Sequence, residues 1–506
     1  MSNQDLYNQL ASLSKKAELL HGISMTLEWD QETYMPPKAI ELRSSELELM
    51  ASLIHKERTS EEFAKLLGSL INLESGQVIA TNLTDPQQAA LREWRRDYVK
   101  TVKLPPSFVE EFARVTSASM HAWKEARANN DFSAFCPHLE KVVELCRKKA
   151  ELLGYEHQPY DALIDEFEPT MTTKVIKVLF ERLKIPLINL LKKIQTKQPP
   201  EDEFLLKAYP HDQQLRFAKK LLAAMGFDKS FSRLDEAVHP MCIACHPKDV
   251  RMTTRVYPHN VMPNILSAIH EGGHGLYHAQ LPEEHYGTPL CDAVSLGIHE
   301  SQSRTWETIL GRSLPFWSHF FPLLQNEYPE QLGGVTLEDF YRGINIVGPT
   351  MIRVDSDEVT YNLHIMIRFE LELALIEGTL EVKDLPKAWN EKMREYLGIT
   401  PKADSEGCMQ DIHWSMGAIG YFPTYTLGNL YAAQFFDTFT DAHPDWKEKV
   451  IQGELGFLRE WLKDKIHKYG RQYLPEDLCE KVTGKPLSEA FFVEYLETKY
   501  AGIYHI

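Results

Sequence analysis

Apolar residues recur at three- and four-residue spacing through most of the chain, a period that predicts helices. Leu42 to Leu53 carries it, as does His138 to Leu153, where Leu139, Val142, Val143 and Leu145 stand beside charged neighbours. Trp446 to Ile466 and Leu179 to Ile194 read the same way. Pro186 lacks the N–H that the helix ladder needs, so it is expected to kink or split the second of these. Pro36-Pro37, Pro105-Pro106, Pro199-Pro200 and Gly333-Gly334 mark breaks. One stretch departs from the pattern. From Val359 to Leu373 the apolar positions alternate, which argues for a strand. The stretch is longer than the usual strand of about 3–10 residues. Met366 interrupts its polar face, and Ala374 to Gly378 closes it like a helix with a glycine stop. It is expected to be a buried helix. No series of short strands with hairpin turns is present, which disfavours an all-β fold.

The expected architecture is therefore all-α, predominantly helical with little sheet. No linker separates independent domains; Thr196 to Asp202 reads as a surface connection. Residues 1–506 are expected to form one large helical body, with an N-terminal part at about 1–235 and a metal-site-bearing part at about 236–506. The net charge of -17 disfavours nucleic acid as a partner. No stretch approaches the roughly 18 apolar residues of a membrane span. Met1 to Leu20 has neither the basic start nor the apolar run of a secretory signal, which points to the cytoplasm. Seven cysteines in a chain this long imply no disulfide framework. Cys242, Cys245 and His246 match the C-x-x-C-H haem-attachment pattern, but without an export signal chance is the better account.

The chemistry concentrates at His270-Glu271-Gly272-Gly273-His274. Residues four apart share a helix face, so the two imidazoles can bind one metal ion, with Glu271 beside it as general base. Ile265, Leu266 and Ile269 before the motif, and Leu276 and Tyr277 after it, suit a buried helix. Gly272, Gly273 and Gly275 each cost about 1 kcal/mol relative to alanine in a helix, which implies close backbone packing or close approach of a ligand. A catalytic zinc needs a third protein ligand and an open position. Glu300, in His299-Glu300-Ser301-Gln302-Ser303, lies 26 residues after His274, which leaves room for a loop and a returning helix. Glu307 falls on the same face two turns on. It reads equally as an acceptor for a ligand histidine and as a solvated charge.

Together with this motif, Asp249 to Thr253 (D-x-R-x-T), His299 to Gln302, Ile352 to Asp357 and Gly407 to Trp414 (G-x-x-Q-D-x-H-W) resemble the carboxypeptidase Taq family of metallocarboxypeptidases, in the family's order. Trp29-Asp30 to Met35-Pro36 also looks like its N-terminal region. One departure is Met241, where the family has phenylalanine after His239-Pro240. The resemblance implies a helical fold with a deep groove, similar to the neurolysin and angiotensin-converting enzyme group. It implies cytoplasmic homodimers that trim peptides from the C-terminus with broad specificity. The metal would be one divalent ion per chain, zinc, or alternatively cobalt.

An exopeptidase must hold a free carboxylate, and an arginine fork suits it. Arg353 is the first choice, with Arg251 and Arg255 behind it and His239 as a further substrate-binding candidate. Asp355 near Arg353 and Asp249 near Arg251 offer ordinary ion pairs instead. His413, Tyr425 and Tyr421 are candidate donors to the tetrahedral intermediate; Tyr421 reads equally as a core aromatic. The role of Asp411, orienting His413 or otherwise, stays open. Two alternatives remain: an endopeptidase or dipeptide-releasing peptidase on the same fold, and a non-catalytic peptide-binding scaffold with a structural metal.

Overall fold

A computed structural model describes residues 1–506. Helices dominate it. A long hairpin of helices opens the chain, Asn3–Thr33 and Ile40–Arg58, turned at Pro36-Pro37. The second of these contains the Leu42–Leu53 segment, yet only Met50 is buried on it, and Leu42, Leu49 and Leu53 face solvent. The His138–Leu153 segment lies within Phe132–Leu153, and its four named apolar residues are buried.

Two expectations about helix breaks are revised. Helix Thr173–Gln195 continues through Pro186 and is not split there. The proline stands among solvent-facing Arg182 and Ile185, so the carbonyl it leaves without a partner can be solvated. Conversely, Trp446 to Ile466 is not one helix. It divides into Trp446–Ile451 and Gly456–Lys465, because Gly453 takes a left-handed φ of 85° that interrupts the ladder. The alternating segment is a helix, Thr360–Glu377, buried on nearly every side and stopped by Gly378 at φ 79°.

One small sheet accompanies the helices. Its strands are β1 (Ser232–Glu236), β2 (Cys242–His246) and β3 (Asp249–Thr254), in the order β1-β3-β2. β3 runs parallel to β1 and antiparallel to β2, with Arg233 opposite Arg251 and Cys242 opposite Met252. Val250 and Met252 of β3 are buried in the main core, and Val250 stands against Gly275 of the helix Met262–Ala279. Arg251 faces the other way, its guanidinium 5.1 Å from the Trp29 ring. The D-x-R-x-T element is thus a strand. Its Thr253 Oγ1 accepts from Met241 N at 2.9 Å, which ties it to the His239-Pro240 segment.

The main core runs from Trp123 to Tyr504. A second, smaller core lies among the N-terminal helices, with Leu10, Leu67, Leu91 and Trp94, and Leu290 from the loop ahead of helix Leu296–Arg304 is packed into it. No helix is long and apolar enough to cross a membrane.

The three glycines of the histidine motif let three different elements approach its helix. A Cβ on Gly272 would stand 2.8 Å from Leu222 and Met225, and one on Gly275 3.0 Å from Phe227 and Val250. At Gly273 the obstacle is backbone: Ser303 Cα at 2.5 Å and the Gln302 carbonyl at 2.7 Å. Side chains can yield, whereas backbone in a packed helix cannot. Gly273→Ala is therefore expected to lower thermal stability, with overpacking of about 1–3 kcal/mol or more outweighing the helix propensity gained. Differential scanning calorimetry checks this; an unchanged or raised Tm would contradict the close approach.

Candidate metal centre

Pro263 sits in the first turn of helix Met262–Ala279, where its missing N–H costs nothing, and buried Ile265, Leu266 and Ile269 set the face that turns inward. His270 and His274 follow with ring centroids 4.8 Å apart. Across from them runs the helix Leu296–Arg304, whose start is capped by Ser295 accepting from Ile298 N at 3.0 Å. A buried carboxylate, Glu168, accepts from Gly297 N at 2.9 Å and secures the same helix end. Glu300 on this helix points back at the histidines. Its Oε2 lies 3.7 Å from His270 Nε2 and 3.5 Å from His274 Nε2.

These three side chains could hold a metal ion: their ligand atoms lie within 4.8 Å of one another. Donors bound at about 2.0–2.2 Å around one tetrahedral ion stand about 3.3–3.6 Å apart, and the two measured Glu300 distances already fall close to that. The tautomer suits as well. His270 Nδ1 lies 2.9 Å from Glu307 Oε2, which holds a proton on Nδ1 and leaves Nε2 as the ring nitrogen turned to Glu300. Burial would lower the His270 pKa, but Glu300 and Glu307 outweigh it and raise it to about 9, so an incoming ion displaces the Nε2 proton. His274 stacks on His299, with ring centroids 4.4 Å apart. The His299 Nε2 meets His278 Nε2 at 2.8 Å, and burial pushes both rings' pKa values down, to about 4 for His278, so both are neutral.

Helix Leu296–Arg304 continues into a π turn, Thr305–Leu310, with Gly311 N bonded to the Trp306 carbonyl five residues back. This places Arg304 and Glu307 beside the site. Arg304 Nε donates to Glu300 Oε1 at 2.6 Å, and its Nη1 donates to Glu307 Oε2 at 3.3 Å. Burial alone would raise both carboxyls. The Arg304 charge and the histidines outweigh it, holding Glu300 well below its ordinary value and Glu307 at about 2. Glu271 has no such cation. Burial raises its carboxyl above the usual range, although His270 and His274 oppose that, so a proton is held more readily there than on its neighbours.

A second cluster lies beside the first. Arg353 is buried, and its Nη2 donates to Asp411 Oδ1 at 2.8 Å while Nη1 donates to the Tyr361 hydroxyl at 3.1 Å. Arg368, fully buried, donates through Nε to Asp411 Oδ2 at 2.7 Å. Gln410 accepts from Arg353 N and from Arg368 Nη2, each at 2.8 Å. The ion-pair partner of Arg353 is thus Asp411 rather than nearby Asp355. The Arg353 guanidinium lies 5.1 Å from the Tyr425 ring. Tyr425 Oη is 3.4 Å from His413 Nε2, and Tyr421 stacks edge-on against Tyr425 at 5.4 Å. Both phenols feel the Glu300 charge. Burial depresses His413 to about 4, so it is neutral, and its Nδ1 is buried without a hydrogen-bond partner. Glu372 fixes this loop from below, accepting from Trp414 Nε1 at 2.8 Å and from Gly420 N at 3.1 Å.

Not every candidate joins the centre. Arg251 closes its fork on Asp249, with two contacts of 2.8 Å. Arg255 is exposed beside Tyr257, and His239 is exposed in the loop before β2. The C-x-x-C-H triplet is dispersed: Cys242 lies near the Glu271 charge, Cys245 touches Thr26 and His246 packs on Tyr286. Two residues central to the geometry carried no role in the sequence reading. Arg304 follows Glu300 by one turn, an acid-to-base spacing that could have revealed it. Tyr361 bridges the two clusters, its hydroxyl on Arg353 and its ring 4.7 Å from the Arg304 guanidinium. In the sequence it is one position of the alternating run from Val359 to Leu373.

A family model for carboxypeptidase Taq (M32) metallopeptidase matches residues 9–500. Over the full length of both chains, the sequence is 42% identical to thermostable carboxypeptidase 1 of Thermus thermophilus. It is 38% identical to thermostable carboxypeptidase 1 of Pyrococcus furiosus over 98% of this chain and 99% of the relative. The crystal structure of an M32 carboxypeptidase from Deinococcus radiodurans superposes with a TM-score of 0.96 at 34% identity, covering 99% of this chain and 100% of that one.

Because Glu307 fixes the His270 tautomer, Glu307→Ala is expected to weaken metal binding about 10–100-fold with the fold retained. Competition against a chromogenic chelator measures it, and unchanged affinity would leave Glu307 a partner of Arg304 only.

Proposed function

The chain belongs to the carboxypeptidase Taq (M32) family of metallopeptidases and is a metallocarboxypeptidase, and from that premise we propose how its residues divide the work. The observation that carries the reading is the convergence of His270, His274 and Glu300 with buried Glu271 alongside. The donor set, two imidazoles and one carboxylate, suits zinc. Held there, the ion would polarise the scissile carbonyl and lower the pKa of water toward neutrality.

The chain's own groups supply the rest. Glu271, whose carboxyl is raised by burial, takes a proton from the attacking water and passes it to the leaving amine. Tyr425, Tyr421 and neutral His413 are the donors for the developing oxyanion, supported by the Glu300 charge that both phenols feel. Arg353 receives the substrate's terminal carboxylate. Arg353, Arg368 and Asp411 together carry two positive charges against one negative, and a buried surplus of this kind favours an anion. Arg251 closes on Asp249 as Arg353 closes on Asp411, but Arg251 has that aspartate to itself and so leaves no surplus charge, which makes it the weaker choice; His239 is a candidate in the exposed loop before β2. The reaction is removal of C-terminal residues from peptides with broad specificity. One peptidase domain over 1–506, working as a cytoplasmic homodimer, completes the proposal. Leu290 packed into the N-terminal core supports the single domain.

Glu271→Gln is expected to keep its metal and lose turnover by several orders of magnitude, as read by metal analysis and peptide hydrolysis in parallel; loss of both would make Glu271 a ligand instead. A peptide and its C-terminal amide, compared by mass spectrometry with and without a chelator, test the direction of attack. The amide should be nearly inert, and Arg353→Ala should erase most of the difference between the two. Cleavage of the amide at the parent rate would favour an endopeptidase.

A further inference from the structure

The turn from Asp165 to Thr170 meets the centre at three points. The Phe167 carbonyl accepts from Leu296 N at 3.0 Å, at the start of the helix that carries Glu300. The Phe167 ring lies edge-on to Tyr421, with centroids 5.2 Å apart. Glu168, fully buried, accepts from Gly297 N at 2.9 Å through Oε2 and from the Tyr431 hydroxyl at 3.2 Å through Oε1. Tyr431 belongs to helix Pro423–Ala442, which also carries Tyr425. One carboxylate thus bonds both the helix of Glu300 and the helix of Tyr425.

A carboxylate in this place is costly to keep. Its bonding partners are neutral donors, the Ser295 hydroxyl being the third, and burial raises its pKa to about 7. Two further residues are shaped around it. A Cβ on Gly297 would stand 2.6 Å from Glu168 Oε2, so the helix start admits only glycine while the carboxylate is in place. Thr170 takes a left-handed φ of 67°, which is strained for a β-branched residue, and its N–H is held by Asp165 Oδ1 at 2.6 Å. Asp165 is itself fixed by Lys100 at 2.5 Å and Arg96 at 3.3 Å. A plain helix cap needs none of this, because Ser295 already caps the same helix.

We propose that Glu168 is a positioning residue for peptide hydrolysis, which holds the Glu300 carboxylate and the Tyr425 hydroxyl at a fixed separation. It acts through Gly297 on the metal-binding geometry and through Tyr431 on the helix of the phenol donor. The assignment rests on Glu300 as metal ligand and Tyr425 as oxyanion donor.

The two arms can be separated in the full-length protein loaded with cobalt(II), whose visible absorption reports ligand geometry, with kcat and KM measured alongside. Gly297→Ala should shift the absorption and lower kcat about 10–100-fold, with KM little changed because Arg353 is untouched. Adding Glu168→Asp, one methylene shorter, should make room for the new methyl and restore part of both. Tyr431→Phe, which removes a single hydroxyl, should lower kcat about fivefold, the worth of one hydrogen bond, and leave the absorption as it was. Glu168→Gln, which keeps an acceptor for Gly297 N, should stay close to the parent. Parent kcat in Tyr431→Phe, or parent absorption in Gly297→Ala, would overturn the assignment even if both variants lost thermal stability. Glu300→Ala tells that failure from failure of the ligand set: cobalt retained there would overturn the metal site itself.

Discussion

The site depends on one close approach of two backbones. Gly273 lies against Ser303 and the Gln302 carbonyl at distances that exclude any side chain, and this contact sets how far Glu300 stands from the histidines. The other flank is equally tight: a Cβ on Gly428, in helix Pro423–Ala442, would stand 2.6 Å from Glu300 Cγ. The glutamate helix is therefore clamped between two glycines on two different helices. Helix propensity is sacrificed at both positions so that a carboxylate and two imidazoles can face a common point.

Charge balance follows from that geometry. Three acidic side chains and two imidazoles are crowded into a buried region, an arrangement that would neutralise itself by taking up protons without a counter-charge. Arg304 supplies the counter-charge to Glu300 and Glu307 and leaves Glu271 outside its reach. Neighbouring carboxyls are thus driven apart, two kept ionised and one made more basic. Tyr361 then joins this cluster to that of Arg353, so the candidate metal site and the buried arginine pair share one wall.

What the sequence disclosed, and what it hid, follows from the range of the interactions. Four-residue spacing is local, so His270, His274 and the helix beneath them were legible, and three glycines in one helix announced close packing before the neighbours were known. The buried helix Thr360–Glu377 could be told from a strand by its length and its glycine stop. Pro186 and Gly453 misled because periodicity continues through both: one break is absent since its orphaned carbonyl can reach water, and the other exists since a left-handed turn costs glycine little. The three strands are too short, and β1 too irregular in its burial, to show a period of two. Asp411 lies 58 residues from Arg353, and no local pattern could pair them in place of Asp355. Tyr361 was hidden differently: within an apolar run, a phenol looks like any other core residue until its hydroxyl is located.

The sharing of one aspartate by two buried arginines has a consequence for the end of each catalytic cycle. If a peptide's terminal carboxylate completes the balance around Arg353, the freed amino acid carries that balancing charge away when it departs. Departure then returns the cluster to one unit of positive charge shared by Arg353 and Arg368 over the single Asp411 carboxylate, which opposes release of the last product. Small carboxylates in the surrounding medium would occupy the same place between turnovers, making the resting enzyme an anion-loaded form.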